Sequence, residues 1–376
     1  MPLERKIKIC HITTVHPAND IRIFHKMCVS LAKSNDFDVH LVVPNSASMV
    51  QDDVQLHSFD AHFSSRRKRI RFAGKKALEI ATTLKADIYH LHDPELLFIA
   101  KKLKKGTKAR VIFDSHEDVP KQILDKIWIQ PMQRKFIAWL YSKYEKRICS
   151  KLDGIISVTP LICNRFKSYH NNVEMIANFP DKNEFEDLPK SKDFHREIAY
   201  VGGIFKKRGI TELMNAIEKI DVKLHLAGAF ESDSLREEVV FMKGWEKTQY
   251  HGVVGRKEIK EILQRSEIGI VTLHPTRSYL ESYPIKLFEY MATSNAILAS
   301  DFPLWRDLVE EYDCCQFVDP LDPDEIGHKI NYMLDNPQMT RNMGKAGSNA
   351  ISEQFNWGKE LDKLMSFYKN MIQFEQ

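Results

Sequence analysis

At 376 residues, with 43% hydrophobic and 28% charged residues, the chain has room for two compact domains and is too ordinary in composition for a fibrous, repeat or disordered protein. No apolar run reaches the roughly 18 residues of a membrane-spanning helix, the polar start Met1–Lys8 lacks the apolar core of a secretion signal, and the six cysteines form no CxxC pair or zinc-like Cys/His cluster; a reduced, cytoplasmic protein is expected. The net charge of +4 hides a split: residues 1–180 hold 30 Lys+Arg against 18 Asp+Glu, a balance of +12, and the remainder stands at −8. The basic half is expected to face something anionic, whether lipid, nucleic acid or a phosphorylated acceptor.

Strand-like runs follow in chain order at Ile7–Thr13, Val39–Val43, Val54–Phe59, Ile88–His92, Val111–Asp114, Gly154–Val158 and Glu174–Ile176, with helical stretches such as Ile21–Lys33 and Glu95–Lys105 between them. The rhythm restarts with Ile198–Val201, Lys223–Leu226, Tyr250–Val253, Ile268–Leu273, Ala296–Ser300 and Gln316–Val318. Such alternation predicts parallel sheets covered on both faces. Two Rossmann-like, doubly wound α/β domains are expected to face a central cleft, covering residues 1–180 and 181–356. A charged, Pro-containing linker falls at Asn178–His195, and an amphipathic helix over 357–376 is able to pack on either domain, including back on the first. Ligands of such sheets bind at the carboxyl ends of strands, so functional residues should follow strands.

Several polar groups do. His90, His92, Asp93 and Glu95 close one strand; His90 and His92 share a face and could pair on a metal, while Asp93 and Glu95 suit acceptor hydroxyls or helix capping. His116, flanked by Glu117 and Asp118, follows the strand Val111–Asp114. Basic runs at Arg66–Arg71, Lys75–Lys76 and Lys101–Lys105, with the aromatic and basic residues of Ile127–Ile129 and Phe136–Tyr141, suit either an anionic membrane surface or solvated helix faces; no nucleic-acid-binding signature accompanies them. Gly202-Gly203 is a strand-to-helix loop. In Glu281-Ser-Tyr-Pro-Ile-Lys-Leu-Phe-Glu289, Pro284 suits the first turn of a helix whose free N–H groups, with Lys286, favour phosphate. Read without context, the same segment is an amphipathic helix with Ile285, Phe288 and Met291 in the core.

That segment resembles the Glu-x7-Glu motif of retaining family 4 glycosyltransferases of the two-domain GT-B fold. The likeness extends through YVGGIFKKRGITELMNAI, HGVVGRKEIKEILQRSEIGIVTLHP and ILASDFPLWRDLVEEYDCCQFVDPLDPDEI. In the first half HPANDIRIFHKM, HLHDPELL, FDSHEDVP and IISVTP are similar to a branch that assembles bacterial surface polysaccharide such as O-antigen or capsule. The resemblance implies a nucleotide-sugar donor, with uridine favoured, a lipid-linked saccharide acceptor, no metal or other cofactor, and a peripheral place at the inner face of the plasma membrane. It implies that Glu289 binds the donor ribose, that Glu281 and His116 lie at the transferred sugar, and that Gly202, Gly203, Arg208, Lys286 and the main chain of Tyr283, Pro284 and Ile285 meet the diphosphate or sugar. Acceptor contacts are expected from Asp20, Arg22, His92, Asp93, Glu95 and Glu117. The chain departs from the family pattern in four places: Gly203 stands where an Arg is usual, with Lys206 and Lys207 nearby; Arg208 replaces a Lys; Thr13–Asp20 replaces a short Gly loop; Ser294 and Ala296 replace Gly and Pro. An epimerase of the same fold, using Asp93 or Glu117, and a non-catalytic nucleotide-sugar binding protein are the other readings.

Overall fold

The computed structural model describes residues 5–63, 65–126, 128–185 and 193–373. The side chains of Arg66 and Arg67 and the whole of Ile127, all within the expected basic and aromatic runs, lie outside the described residues, as do linker residues 186–192. The chain divides into two compact units, Met1–Asn178 with Gly358–Gln376, and Phe179–Trp357.

The first unit is built on an eight-stranded sheet of β1 (Ile7–Ile12), β2 (Phe37–Pro44), β3 (Met49–Gln51), β4 (Val54–Phe59), β5 (Ile88–Leu91), β6 (Arg110–Ser115), β7 (Gly154–Ser157) and β8 (Val173–Met175), in the order β3-β4-β2-β1-β5-β6-β7-β8. The central strands are buried on both faces, which is why they read as continuous apolar runs. All pairings are parallel except β3–β4, a short hairpin turned through Asp52 and Asp53 at φ 48° and 62°. Left-handed residue pairs of this kind make tight hairpin turns. The sequence pattern missed β3 because Met49 and Val50 are exposed and the strand is three residues long. The expected helix Ile21–Lys33 opens instead as a π-helix, Ile21–Cys28, before one α-turn, Val29–Ala32. Asp20 caps it, accepting from the N–H groups of Arg22 and Ile23 at 2.9 and 2.8 Å. The last helix, Trp357–Gln373, returns to this sheet: a side chain at Gly154 would strike Met371 and Phe367, and Tyr368 is fully buried beside His90.

The second unit carries six parallel strands, β9 (Glu197–Val201), β10 (Lys223–Ala227), β11 (Thr248–Gly252), β12 (Ile268–Val271), β13 (Ala296–Ser300) and β14 (Cys315–Val318), in the order β11-β10-β9-β12-β13-β14. Both sheets reverse direction once, between β1 and β5 and between β9 and β12. Those reversals open a crevice at the carboxyl ends of the flanking strands. The expected fold class of two doubly wound α/β domains is therefore the one observed. Five cysteines are buried, Cys315 is half-buried, and all six are free.

Candidate functional site

In the second unit the reversal is flanked by the loops after β9 and β12. Gly202 leaves β9 at φ 111°, a backbone state that favours glycine, and donates its N–H to the Ala227 carbonyl at 2.7 Å. The short turn Lys206–Arg208 follows and ends at Gly209, φ 73°, where any side chain would meet the Thr272 carbonyl. Helix Ile210–Glu218 starts there.

Arg208 is held back over this loop. Its guanidinium lies 4.6 Å from the Phe205 ring centroid, donates to the Gly203 carbonyl at 3.3 Å and to the Tyr279 hydroxyl at 3.4 Å. Lys206 does not supply the cation lacking at Gly203: it pairs with Glu238 at 2.9 Å, and Lys207 is exposed. Lys286 is the second cation at the loop. It sits in the first turn of helix Ile285–Ala292, its ammonium 4.0 Å from the Tyr200 ring centroid and packed on Gly202 so closely that a Cβ there would meet Lys286 Cε at 2.6 Å. Burial, and then the charge of Arg208, push its ammonium down to about 7 against the pull of Glu289.

The helix itself is fixed by Tyr290, whose hydroxyl donates to the Ala199 carbonyl at 3.3 Å and accepts from the Val201 N–H at 3.1 Å, its ring pressed on Gly269. Pro284 stands at the capping position just before the helix, not in its first turn. Phe288 and Met291 are buried as an amphipathic helix requires, but Ile285 is exposed. Tyr283 edges onto Phe288, and Glu281 ends the preceding turn Arg277–Leu280. Glu289 lies in the second turn and accepts from Arg256 at 2.5 Å; Arg256 also grips both oxygens of Glu184, at 2.5 and 3.0 Å. The sequence reading did not single out Arg256 or Glu184. The Glu184–Arg256 and Arg256–Glu289 contacts span 72 and 33 residues and leave no local pattern.

In the first unit, a cavity of about 800 Å³ opens beside the reversal, lined among others by His16, Arg69, His92, Asp93, Glu95, Phe98, His116, Glu117, Ile123, Tyr141 and Tyr144. Five of the expected residues, His92, Asp93, Glu95, His116 and Glu117, thus meet at one place. Asp93 is buried and accepts from Thr13 Oγ1 at 2.9 Å, Thr14 N–H at 2.5 Å and Thr14 Oγ1 at 3.1 Å. Glu95 accepts from Thr14 at 2.8 Å and from Arg69 at 3.1 Å. The loop in place of the usual Gly turn therefore holds these carboxylates by its hydroxyls. Glu117 accepts from Gln122.

Two expected acceptor residues are engaged elsewhere. Asp20 caps the π-helix and pairs with His16 at 3.1 Å; burial alone would raise its carboxyl, but the His16 and Ile23 hydrogen bonds bring it to about 2. Arg22 is buried on Asp114, 3.1 Å from Oδ2, and also donates to the Ile176 carbonyl at 3.0 Å. Its guanidinium neutralises a buried carboxylate. Asp114, which the sequence offers only as the end of a strand, also draws His116 Nε2 to 3.0 Å. Arg22 and the other groups around it hold its carboxyl well below the usual range despite burial.

His11, His90 and His92 form a buried stack with ring centroids 4.4–5.1 Å apart and interplanar angles of 12–29°. Their nitrogens come within 4.8 Å of one another, as do those of His92 and His116 with Asp114. Within the stack His11 Nδ1 lies 2.9 Å from His92 Nε2, a hydrogen-bond distance, and Asp114 already carries Arg22. Burial lowers the affinity of all three stacked rings for protons.

Residues 22–184 match the family described as Glycosyltransferase Family 4, and residues 181–350 that described as Glycosyl transferases group 1. Phosphatidyl-myo-inositol mannosyltransferase of Mycolicibacterium smegmatis is 21% identical over 298 residues, 76% of this chain and 71% of the relative. Alpha-maltose-1-phosphate synthase of the same organism is 26% identical over 203 residues, and the match spans about half of each chain, 51% and 52%. Among solved structures, sucrose-phosphate synthase from Thermosynechococcus elongatus superposes with a TM-score of 0.77 at 16% identity, covering 98% of this chain and 100% of that one. Anabaena HepE in complex with UDP and glucose superposes at 0.73 and 13% identity, covering 97% and 100%. Family 4 and group 1 glycosyltransferase sequences thus follow one another along most of the chain, on two parallel α/β sheets: the protein is a glycosyltransferase of the GT-B fold.

Proposed function

We propose that the protein is a retaining, metal-independent transferase that moves a sugar from a uridine diphosphate sugar to a lipid-linked saccharide in bacterial surface polysaccharide assembly, at the anionic inner face of the plasma membrane. The observation that carries the donor half is the convergence of Arg208 and Lys286 on the Gly202–Gly203 loop at the sheet reversal. Two cations and the free N–H groups of helix Ile285–Ala292 answer the charge of a diphosphate without a metal. As the sugar bond breaks, the departing diphosphate takes the acceptor proton on the same face, while Arg208 and Lys286 stabilise the charge it develops. Glu289, aligned by Arg256, holds the ribose hydroxyls; Glu281 and His116 serve the transferred sugar, and Asp93, Glu95 and Glu117 the acceptor. Solved neighbours holding UDP or UDP-glucose support the uridine donor.

The lipid acceptor is supported by the outer face of the first unit. Trp128 is 76% and Met132 86% exposed, and on helix Pro131–Cys149 Phe136, Trp139 and Leu140 are exposed beside Lys135, Lys143, Lys146 and Arg147. Interleaved apolar and basic side chains of this kind settle at an anionic bilayer surface. No helix among the described residues is long and apolar enough to cross a membrane. A relative named for phosphatidyl-myo-inositol points the same way, whereas neighbours named for sucrose phosphate and trehalose 6-phosphate carry small sugars in their names.

Thermal-shift screening against a nucleotide-sugar panel identifies the donor, since a ligand of the folded state raises the melting point. Donor hydrolysis is then followed in excess chelator. Retained hydrolysis is expected; loss that Mg²⁺ or Mn²⁺ restores overturns the metal-free reading, and formation of an epimer overturns the transferase.

A further inference from the structure

Asp114 ends β6 fully buried, behind the cavity wall to which His92 and His116 belong. A buried carboxylate is costly unless matched, and Arg22 matches it with contacts of 3.1–3.4 Å to its two oxygens. Oδ2 also lies 3.0 Å from His116 Nε2 and 3.6 Å from both His90 Nε2 and His92 Nδ1. An ionised carboxylate offers only lone pairs, so a ring nitrogen 3.0 Å away is favoured as its N–H form, with His92 Nδ1 farther off at 3.4 Å from the same nitrogen. The proton of a neutral His116 therefore sits on Nε2, and Nδ1 keeps the lone pair. His116 is 19% exposed where its partners His90 and His92 are wholly buried. It is thus the ring through which this buried group meets the cavity.

We infer that Asp114 and Arg22 are positioning residues for the transfer: Asp114 fixes the tautomer and orientation of His116, so that Nδ1 accepts a hydrogen bond from a hydroxyl of a saccharide bound in the cavity, and Arg22 keeps Asp114 charged. This rests on the proposed transferase placing the transferred sugar at His116. Asp114 and Arg22 touch substrate only through His116. The pairing joins Arg22 of DIRIF to Asp114 of FDSHE, 92 positions apart. It explains why Arg22, which the motif offers as an acceptor contact, is turned inward.

Nitrogen-15 labelling of histidine reads ring tautomers directly, and the His116 signals are assigned by their loss in His116→Gln. In the parent protein, the His116 ring is expected with a proton on Nε2 and a lone pair on Nδ1. A proton on Nδ1, or on both nitrogens, overturns the inference whatever any further variant does. In Asp114→Asn the single tautomer should give way to a mixture; an unchanged His116 spectrum overturns it equally. With UDP-glucose as the probe donor, Asp114→Asn should lower kcat by about tenfold or more while KM for the donor stays within twofold. An unchanged kcat beside an altered tautomer removes the role in transfer. A parent that does not turn over UDP-glucose rules out that donor and leaves the tautomer result to decide the inference.

Discussion

The two sheet reversals use charge in opposite ways. In the second unit Arg208 is only loosely engaged, by a carbonyl at 3.3 Å, a phenol at 3.4 Å and a ring face, and Lys286 rests on the Tyr200 ring. In the first unit the charges are answered from within: Asp114 by Arg22, Asp93 by two threonines and Asp20 by His16 and the helix cap. A site for a charged ligand leaves its charges in want of partners. A site for neutral hydroxyls is better served by polar groups already ordered by their neighbours. Mutation should therefore cost binding in the second unit and stability in the first.

The sharpest break of that contrast is Arg22→Ala. Removing one partner of a buried ion pair costs roughly 3–5 kcal/mol, so the midpoint of denaturant unfolding should fall steeply. A loss below about 1 kcal/mol would show that Asp114 does not depend on its guanidinium. Glu289→Ala comes next, with about 1.5–3 kcal/mol lost from UDP affinity by calorimetry and a smaller change in melting point, because Arg256 loses Glu289 but keeps both oxygens of Glu184. Unchanged affinity removes Glu289 from the ribose.

A third test uses pH. Lys286 is brought to about 7 in the ligand-free protein, and a bound diphosphate favours its charged form. Below about 7 the ammonium is already present; above it, binding must draw a proton from solvent. UDP affinity should therefore weaken as pH rises from 6 to 9, by up to about 1.4 kcal/mol per unit, with proton uptake visible as a buffer-dependent enthalpy. Lys286→Met should flatten this profile, and a flat profile in the parent would separate Lys286 from the diphosphate. The smallest effect per residue belongs to the outer face of the first unit. Lys135→Glu and Lys143→Glu should each remove about 1 kcal/mol of attachment to acidic liposomes without altering donor hydrolysis. Equal sedimentation with neutral and acidic liposomes would point to a soluble acceptor.

The same contrast governs what the sequence reveals. The second-unit site is carried by runs of neighbouring residues, Gly202 to Arg208 and Glu281 to Glu289, whose chemistry can be read in order. What cannot be read is their folding onto each other: Lys286 reaches Gly202 because Tyr290 pins its helix to β9, 89 residues away. In the first unit the residue types following β5 and β6 are legible as functional, and five of them do share a cavity. Asp114 is not, since within FDSHE it reads as the end of a strand and its meaning lies in Arg22. Nor is the π-helix, whose apolar spacing is that of an ordinary helix.

The C-terminal helix has a consequence for how the molecule comes into being. It supplies Tyr368, whose hydroxyl lies 2.6 Å from buried His90, and Glu360, which accepts from the Ala177 N–H at 2.7 Å. The first unit is thus a discontinuous body whose last piece is translated after the whole of Phe179–Trp357. On a ribosome adding roughly 5–20 residues per second, the first sheet waits on the order of ten to forty seconds, from the emergence of Asn178, for the helix that covers β5 and β7. The second unit, contiguous in the chain, can close first. The usual order of synthesis, in which the leading domain matures before the trailing one, is here reversed, and the sheet face around His90 and Gly154 is a natural client for a chaperone in that interval.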